Sequence, residues 1–136
     1  MVRRPLGGPV LLTLNKQRWS ELRAVQAEVN GRVGYRTDLD LYGMPEFWTI
    51  ADRQGDCEDY ALAKRAALLA LGWPFEVLRL AVCQTERGEA HAVLTVDTDK
   101  GVYVLDNRYA GVEPYPALRY TWIKRQASGG PGWVLV

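Results

Sequence analysis

The stretch Gly55-Asp56-Cys57-Glu58-Asp59-Tyr60-Ala61-Leu62-Ala63-Lys64 sets one of two cysteines among three acids, at the head of an Ala- and Leu-rich run that closes at Gly72-Trp73-Pro74. Ala and Leu are the best ordinary helix formers, so this run predicts the strongest helix of the chain. Asp56 fits as its N-cap, Asp59 stands where a capping box puts its acid, and Gly72 followed by Pro74 ends it. Few polar residues lie along the run, which predicts burial on most sides. Cys57 then sits in the first turn, where unpaired backbone N–H groups and the positive end of the helix dipole favour thiolate. The same N–H groups can receive the oxyanion formed when sulfur attacks an acyl carbon. A cysteine is often only a small buried apolar residue. Burying Cys57 between Asp56 and Glu58, however, would strand two carboxylates.

Upstream, residues 35–55 hold turn formers and aromatics, among them Tyr42, Gly43, Pro45, Phe47 and Trp48, without a clean period. They read as an ordered loop. Trp48, just before the cysteine stretch, is the best of the five tryptophans for a substrate-binding cleft wall; Trp19, Trp73, Trp122 and Trp133 read mainly as packing. Earlier still, Asn15 is a good N-cap, and Trp19, Leu22, Val25, Val29 and Val33 recur every three or four residues. That is one helical stripe, with Asn30-Gly31 as its expected stop. Residues 1–14 contain Pro5, Gly7, Gly8 and Pro9 and read as a flexible arm, leaving 15–136 as a single domain.

Beyond Pro74 the pattern changes to short β-rich runs at 76–85, 90–97, 102–107, 120–126 and 133–136. Helices first and strands after is the order of an α+β domain with an antiparallel sheet. Asp97-Thr98-Asp99-Lys100-Gly101 suits a hairpin turn between the second and third runs.

Bulk properties narrow the function. With 136 residues the chain is one domain with a real core, and its 17 basic and 16 acidic residues leave a net charge of +1. No global field draws it to nucleic acid or an anionic membrane. No stretch approaches the ~18 uninterrupted apolar residues of a membrane span, and the first residues lack the apolar core of a signal peptide. As written, the chain reads as cytoplasmic, or as a periplasmic form whose leader is absent. Cys57 and Cys83 are not expected to pair, and Cys83, mid-strand in RLAVCQT, reads as a buried inert thiol. One histidine and two distant cysteines lack the paired spacing of a zinc site.

His91, the only histidine, opens the alternating run HAVLTV. A Cys–His enzyme needs a base within hydrogen-bond reach of sulfur and a carboxylate or amide on the other ring nitrogen. Asp106, ending VYVLD, lies on the strand expected to pair with that of His91. With the turn centred near Asp99, the two fall close to cross-strand neighbours. Asn107 would face the other way, and Asp106 otherwise reads as a strand-end turn residue. Arg108 reads as half of a surface ion pair, or as a holder of a substrate carboxylate.

The order of nucleophile, histidine and aspartate resembles the transglutaminase-like, papain-related superfamily, and within it the bacterial transglutaminase-like cysteine proteinases of LapG type. The matching stretches are VNGRVGYRTDLDLYGMPEFW (29–48), GDCEDYALAKRAALLALGWP (55–74), HAVLTV (91–96) and VLDN (104–107); GDCEDYALAK is the specific part. The likeness covers roughly residues 25 to 110. It implies a papain-like α+β fold and acyl transfer through a thioester, with Cys57 as nucleophile, His91 as acid–base and Asp106 as orienter. No cofactor is required for that chemistry, and the partner is a peptide or protein substrate.

The resemblance also implies calcium beside the nucleophile, at Asp56 and Glu58, with Asp59, Asp38 and Asp40 as further candidates. Hard carboxylate oxygens suit Ca²⁺, although two are far from the usual six to eight. Helix capping by Asp56 and Asp59 is the competing reading. Gln54 is the candidate second oxyanion donor. Two other functions fit the same likeness: a noncatalytic peptide- or partner-binding module, and acyl transfer to an amine. An intact Cys57, His91 and Asp106 set favours the peptidase or amidase over the binding module, and products formed with and without a primary amine separate hydrolysis from transfer. The substrate, the cleavage site and the oligomeric state are not written in these residues.

Overall fold

The strongest predicted helix forms as α2, Arg53–Ala70, and turns Cys57, Ala61, Lys64 and Leu68 inward at spacings of four, three and four. It ends as expected. The N–H of Gly72 donates to the carbonyl of Leu69 and that of Trp73 to Leu68, both at 3.0 Å, while Gly72 takes a φ of 90° that a side chain would oppose. The structure is a computed structural model; it describes residues 2–3, 11–41, 53–128 and 132–135, and at 2–3, 32–41 and 53–56 the backbone alone.

Two helix boundaries differ from expectation. The first helix, α1, spans Lys16–Leu41 and so runs through Asn30-Gly31 into the region read as a loop. Its N-cap is the expected one, with the Arg18 N–H donating to Asn15 Oδ1 at 2.8 Å. A single interior glycine costs only about 1 kcal/mol, and Asn30 does not cap: its amide donates to the carbonyls of Asp106 and Tyr109 instead. The second difference is that α2 begins at Arg53, which puts Asp56 inside the helix rather than at its cap and moves Cys57 to the second turn.

The strands are β1 (Val2–Arg3), β2 (Leu11–Leu12), β3 (Leu78–Gln84), β4 (Ala90–Thr98), β5 (Gly101–Leu105), β6 (Glu113–Pro114), β7 (Thr121–Gln126) and β8 (Trp133–Leu135). The sheet order is β1-β2-β4-β3-β7-β8, with β5 also on β4 and β6 on β5. Every pairing is antiparallel except β2 on β4. This is the expected α+β arrangement.

Alternation along the strands feeds two clusters. Leu94, Val96 and Leu105 pack with Leu22, Val25 and Val29 of α1 and Ala61 and Leu68 of α2. Ala81, Cys83, Val93 and Val104 pack with Leu118 and Tyr120. Trp73 is buried and donates its indole N–H to Glu21 Oε1 at 2.8 Å, tying the end of α2 to α1. Trp133 departs from the packing expectation and is exposed.

The arm expected over 1–14 is fixed at its far end. Leu12 and Leu14 are buried. The Asp99 N–H donates to the Leu12 carbonyl at 2.9 Å, and Asp99 Oδ1 accepts the Leu14 N–H at 2.8 Å. The turn of the β4–β5 hairpin is thereby clasped to the start of the chain.

The two glycines give a paired stability test. Gly72→Ala should destabilise by roughly 1–2 kcal/mol, because alanine must enter left-handed backbone. Gly31→Ala, on an exposed helical position with open space around it, should stabilise by about 0.5–1 kcal/mol. Urea unfolding of both variants checks the opposite signs.

Candidate active site

Asp106 is the centre of this site and is 1% exposed. Its Oδ1 receives His91 Nε2 at 2.8 Å and the Arg108 N–H at 2.9 Å. Its Oδ2 receives the Tyr120 hydroxyl at 2.5 Å. Its main-chain carbonyl accepts the Gln26 side-chain amide at 2.9 Å, and the Tyr109 and Gly111 carbonyls accept the same amide at 2.8 and 3.1 Å. Helix α1 thus fixes the backbone just past β5 while the sheet side fixes the carboxylate.

The hairpin register differs by one residue from that of a turn centred on Asp99. Leu94 opposes Leu105 and Thr98 opposes Gly101, so continuing the ladder places Asp106 opposite Val93. His91 is therefore a diagonal neighbour on the same face, a separation that these long side chains bridge.

Burial alone would raise the carboxyl pKa of Asp106. His91, then Tyr120, then the Arg108 N–H more than compensate, and the group is held below its ordinary value. Burial likewise disfavours the imidazolium of His91, which is 4% exposed. Hydrogen bonds with Asp106 and with Cys57 outweigh it and raise the histidine to about 9. One ring therefore joins the buried carboxylate to the buried sulfur of α2. Tyr120 is pushed well above the usual phenol value, by burial and by the adjacent carboxylate.

Arg108 pairs with Glu86 at 2.5 Å and donates to the Tyr120 hydroxyl at 3.0 Å, so the surface ion pair is the reading that holds. Cys83 is fully buried and its thiol is raised by burial to about 12, as expected of an inert packing residue. Neither cysteine forms a disulfide.

Cys57, His91 and Asp106 are thus brought together. Glu58 and Asp59 are exposed. The side chains of Asp56, Gln54, Asp38 and Asp40 lie outside the described residues, as does Trp48 altogether. Among the described residues no three His, Cys, Asp or Glu side chains gather to hold a metal ion. No helix among them is long and apolar enough to cross a membrane.

The sequence reading missed Tyr120, Gln26, Asn30 and Lys64. Gln26 and Lys64 carried a usable signal, a polar residue set inside an otherwise apolar helical stripe. Tyr120, before β7, carried none.

A family model for the bacterial transglutaminase-like cysteine proteinases (BTLCP) matches residues 7–136. Among solved structures, calcium-bound LapG of Legionella pneumophila aligns with a TM-score of 0.53 and 25% identity over 60% of this chain and 46% of LapG. The EGTA-treated form gives 0.53 and 25% over 60% and 45%. The match therefore spans less than half of the LapG chain. Comparison with curated proteins gives no match.

Because His91 binds its proton more tightly folded than unfolded, its contribution to stability is complete below its ordinary value near 6.5 and is lost as pH rises through about 9. Relative to His91→Gln, the wild type should lose unfolding free energy across that window. Urea titrations of both proteins at its two ends check the sign.

Proposed function

This chain belongs to the bacterial transglutaminase-like cysteine proteinase family, and from that premise we propose that it cleaves a peptide or amide bond with Cys57, His91 and Asp106 as its catalytic triad. The observation that carries this reading is the buried 2.8 Å bond from His91 Nε2 to Asp106 Oδ1, on a ring that also bonds Cys57. Asp106 accepts the Nε2 proton and so fixes the ring's tautomer and orientation. That leaves Nδ1 for the sulfur.

The chemistry then follows the sequence of bonds. The Cys57 thiolate adds to the carbonyl carbon, and the oxygen takes up the electron pair. On collapse the C–N bond breaks, and His91 Nδ1 delivers its proton to the departing amine. Water next attacks the thioester, giving a proton back to His91, and the C–S bond breaks to release the acid. A histidine held at about 9 is a ready proton donor at neutral pH.

Cys57 on the second turn has its own N–H within the helical ladder rather than unpaired. The oxyanion donor must come from elsewhere. Gln54, three residues earlier and so on nearly the same helical face, is our candidate, with Trp48 as a wall of the substrate cleft.

Calcium enters this proposal as a brace for the start of α2, not as a reagent. LapG is known in calcium-bound and EGTA-treated forms, and Asp56 and Glu58 are the carboxylates of this chain that flank the nucleophile. Bound there, the ion would supply fixed positive charge next to the sulfur. No step above runs through it.

Iodoacetamide labelling read by mass spectrometry tests the triad. Cys57 should label selectively at neutral pH, and His91→Ala should slow it by at least about tenfold. EGTA should slow the wild type, and added calcium should restore it. Labelling of Cys57 at the rate of an ordinary thiol, unchanged in His91→Ala, would rule the triad out.

A further inference from the structure

The Tyr120 hydroxyl carries one proton and touches two charged groups. Arg108 Nη1 lies 3.0 Å from it and Asp106 Oδ2 lies 2.5 Å from it. A guanidinium can only donate and an ionised carboxylate can only accept, so the hydroxyl oxygen accepts from Arg108 and its own proton goes to Asp106. The phenol keeps that proton through the neutral range, because burial and the adjacent carboxylate both push it up. On its outer side the guanidinium is held in turn by Glu86, at 3.1 and 2.5 Å.

The backbone contains a device that delivers this hydroxyl. Val82 of β3 opposes Lys124 of β7, yet Cys83 opposes Trp122, which leaves Ile123 as the extra residue of a β-bulge. One extra residue reverses the faces taken by the side chains before it. Cys83 opposes His91 on its other side, so His91, Cys83 and Trp122 share one face, and Tyr120, two residues before Trp122, is returned to that face. A regular ladder would turn Tyr120 away from the histidine. Its ring meets the imidazole edge-on, with centroids 5.7 Å apart, and Trp122 backs it at 5.6 Å.

We propose that Tyr120 is a positioning residue of the triad: its hydroxyl, aimed by the Arg108 guanidinium, locks the Asp106 carboxylate so that Oδ1 is presented to His91. This rests on the triad assignment above. With His91 and the Arg108 N–H on Oδ1 and Tyr120 on Oδ2, the carboxylate is gripped at both oxygens and cannot turn about its own bond. Each of these donors also favours the ionised form. The exposed pair with Glu86 becomes the outer anchor of that support. Two further ionisable groups, Cys83 on β3 and Lys64 on α2, feel the Asp106 charge; Cys57 is reached through His91; and α1 presents the uncharged amides of Gln26 and Asn30.

The experiment is a carbon NMR titration of the Asp106 carboxyl, run beside the pH profile of Cys57 alkylation by iodoacetamide, in wild type, Tyr120→Phe and Arg108→Ala. Tyr120→Phe keeps the ring and its packing and removes only the donor. The Asp106 midpoint should rise by about one unit, and the acid limb of alkylation should move up with it. An unchanged midpoint overturns the proposal. So does a midpoint that moves while the limb stays, because the triad then does not feel the hydroxyl.

Arg108→Ala, a change at the surface, keeps the test open even if Tyr120→Phe does not fold. It leaves the Tyr120 hydroxyl and the main-chain N–H in place, so the Asp106 midpoint should rise by less than in Tyr120→Phe. An unchanged midpoint shows that the guanidinium does not aim the hydroxyl and overturns the proposal; an equal or larger rise overturns it too, by placing the support in the ion pair. Failure of the triad reading would look different: wild-type Cys57 labelling would ignore His91→Ala while the Asp106 midpoint still answered to Tyr120→Phe.

Discussion

The hydrogen bond from His91 Nε2 to Asp106 Oδ1 joins two residues that the sheet alone leaves diagonal to each other. Its 2.8 Å length demands that β4 and β5 keep one register, and the hairpin turn enforces it. Thr98 Oγ1 donates to the Gly101 carbonyl and accepts the Lys100 N–H. A slip of one residue would send either side chain to the other face. Much of the molecule defends this geometry. The chain start clasps the turn through Asp99, α1 grips the backbone after β5 through Gln26 and Asn30, and Tyr120 holds the second carboxylate oxygen.

That layering divides labour between apolar and polar burial. The cluster of Leu22, Val25, Leu68, Leu94 and Leu105 holds helices to sheet without direction. Direction comes from the amide of Gln26, spread over three carbonyls at the turn that follows Asp106. The Asp106 and Tyr109 carbonyls also accept the Asn30 amide, and the Asp106 carbonyl the Tyr109 N–H at 3.3 Å. Two side chains of α1 thereby satisfy the turn that follows β5 and fix where the carboxylate begins.

How much of this could be read from residues alone follows from the range of each interaction. Strands β3, β4, β5, β7 and β8, the hairpin and the end of α2 were legible because period-two alternation, turn residues and Gly72-Trp73-Pro74 act locally, whereas the two-residue strands β1, β2 and β6 carry too short a pattern to be read. Cys57, His91 and Asp106 stood out as candidates because Cys57 lies near the start of a strong helix and His91 and Asp106 flank one turn. Helix limits were not, because Asn30 looks like a stop until its amide is seen to serve carbonyls some 80 residues later in the chain. The hairpin register was off by one, because where a turn centres depends on which residues close it. Tyr120 was invisible for the same reason: what makes it matter is a carboxylate delivered by the fold, not by a neighbour in sequence.

Cys83 offers a last consequence. It donates weakly to the His91 carbonyl at 3.7 Å and stays a thiol up to about pH 12. A thiol so protonated is a poor partner in disulfide exchange. If peroxide converts Cys57 to a sulfenic acid, this neighbour is in no state to trap it as a disulfide. Oxidation would then be free to climb to the sulfinic and sulfonic acids, which are not reversed by ordinary thiols. The burial that keeps the second cysteine harmless to the chemistry also leaves the first without a rescuer inside the protein, so protection must come from reductants in solution.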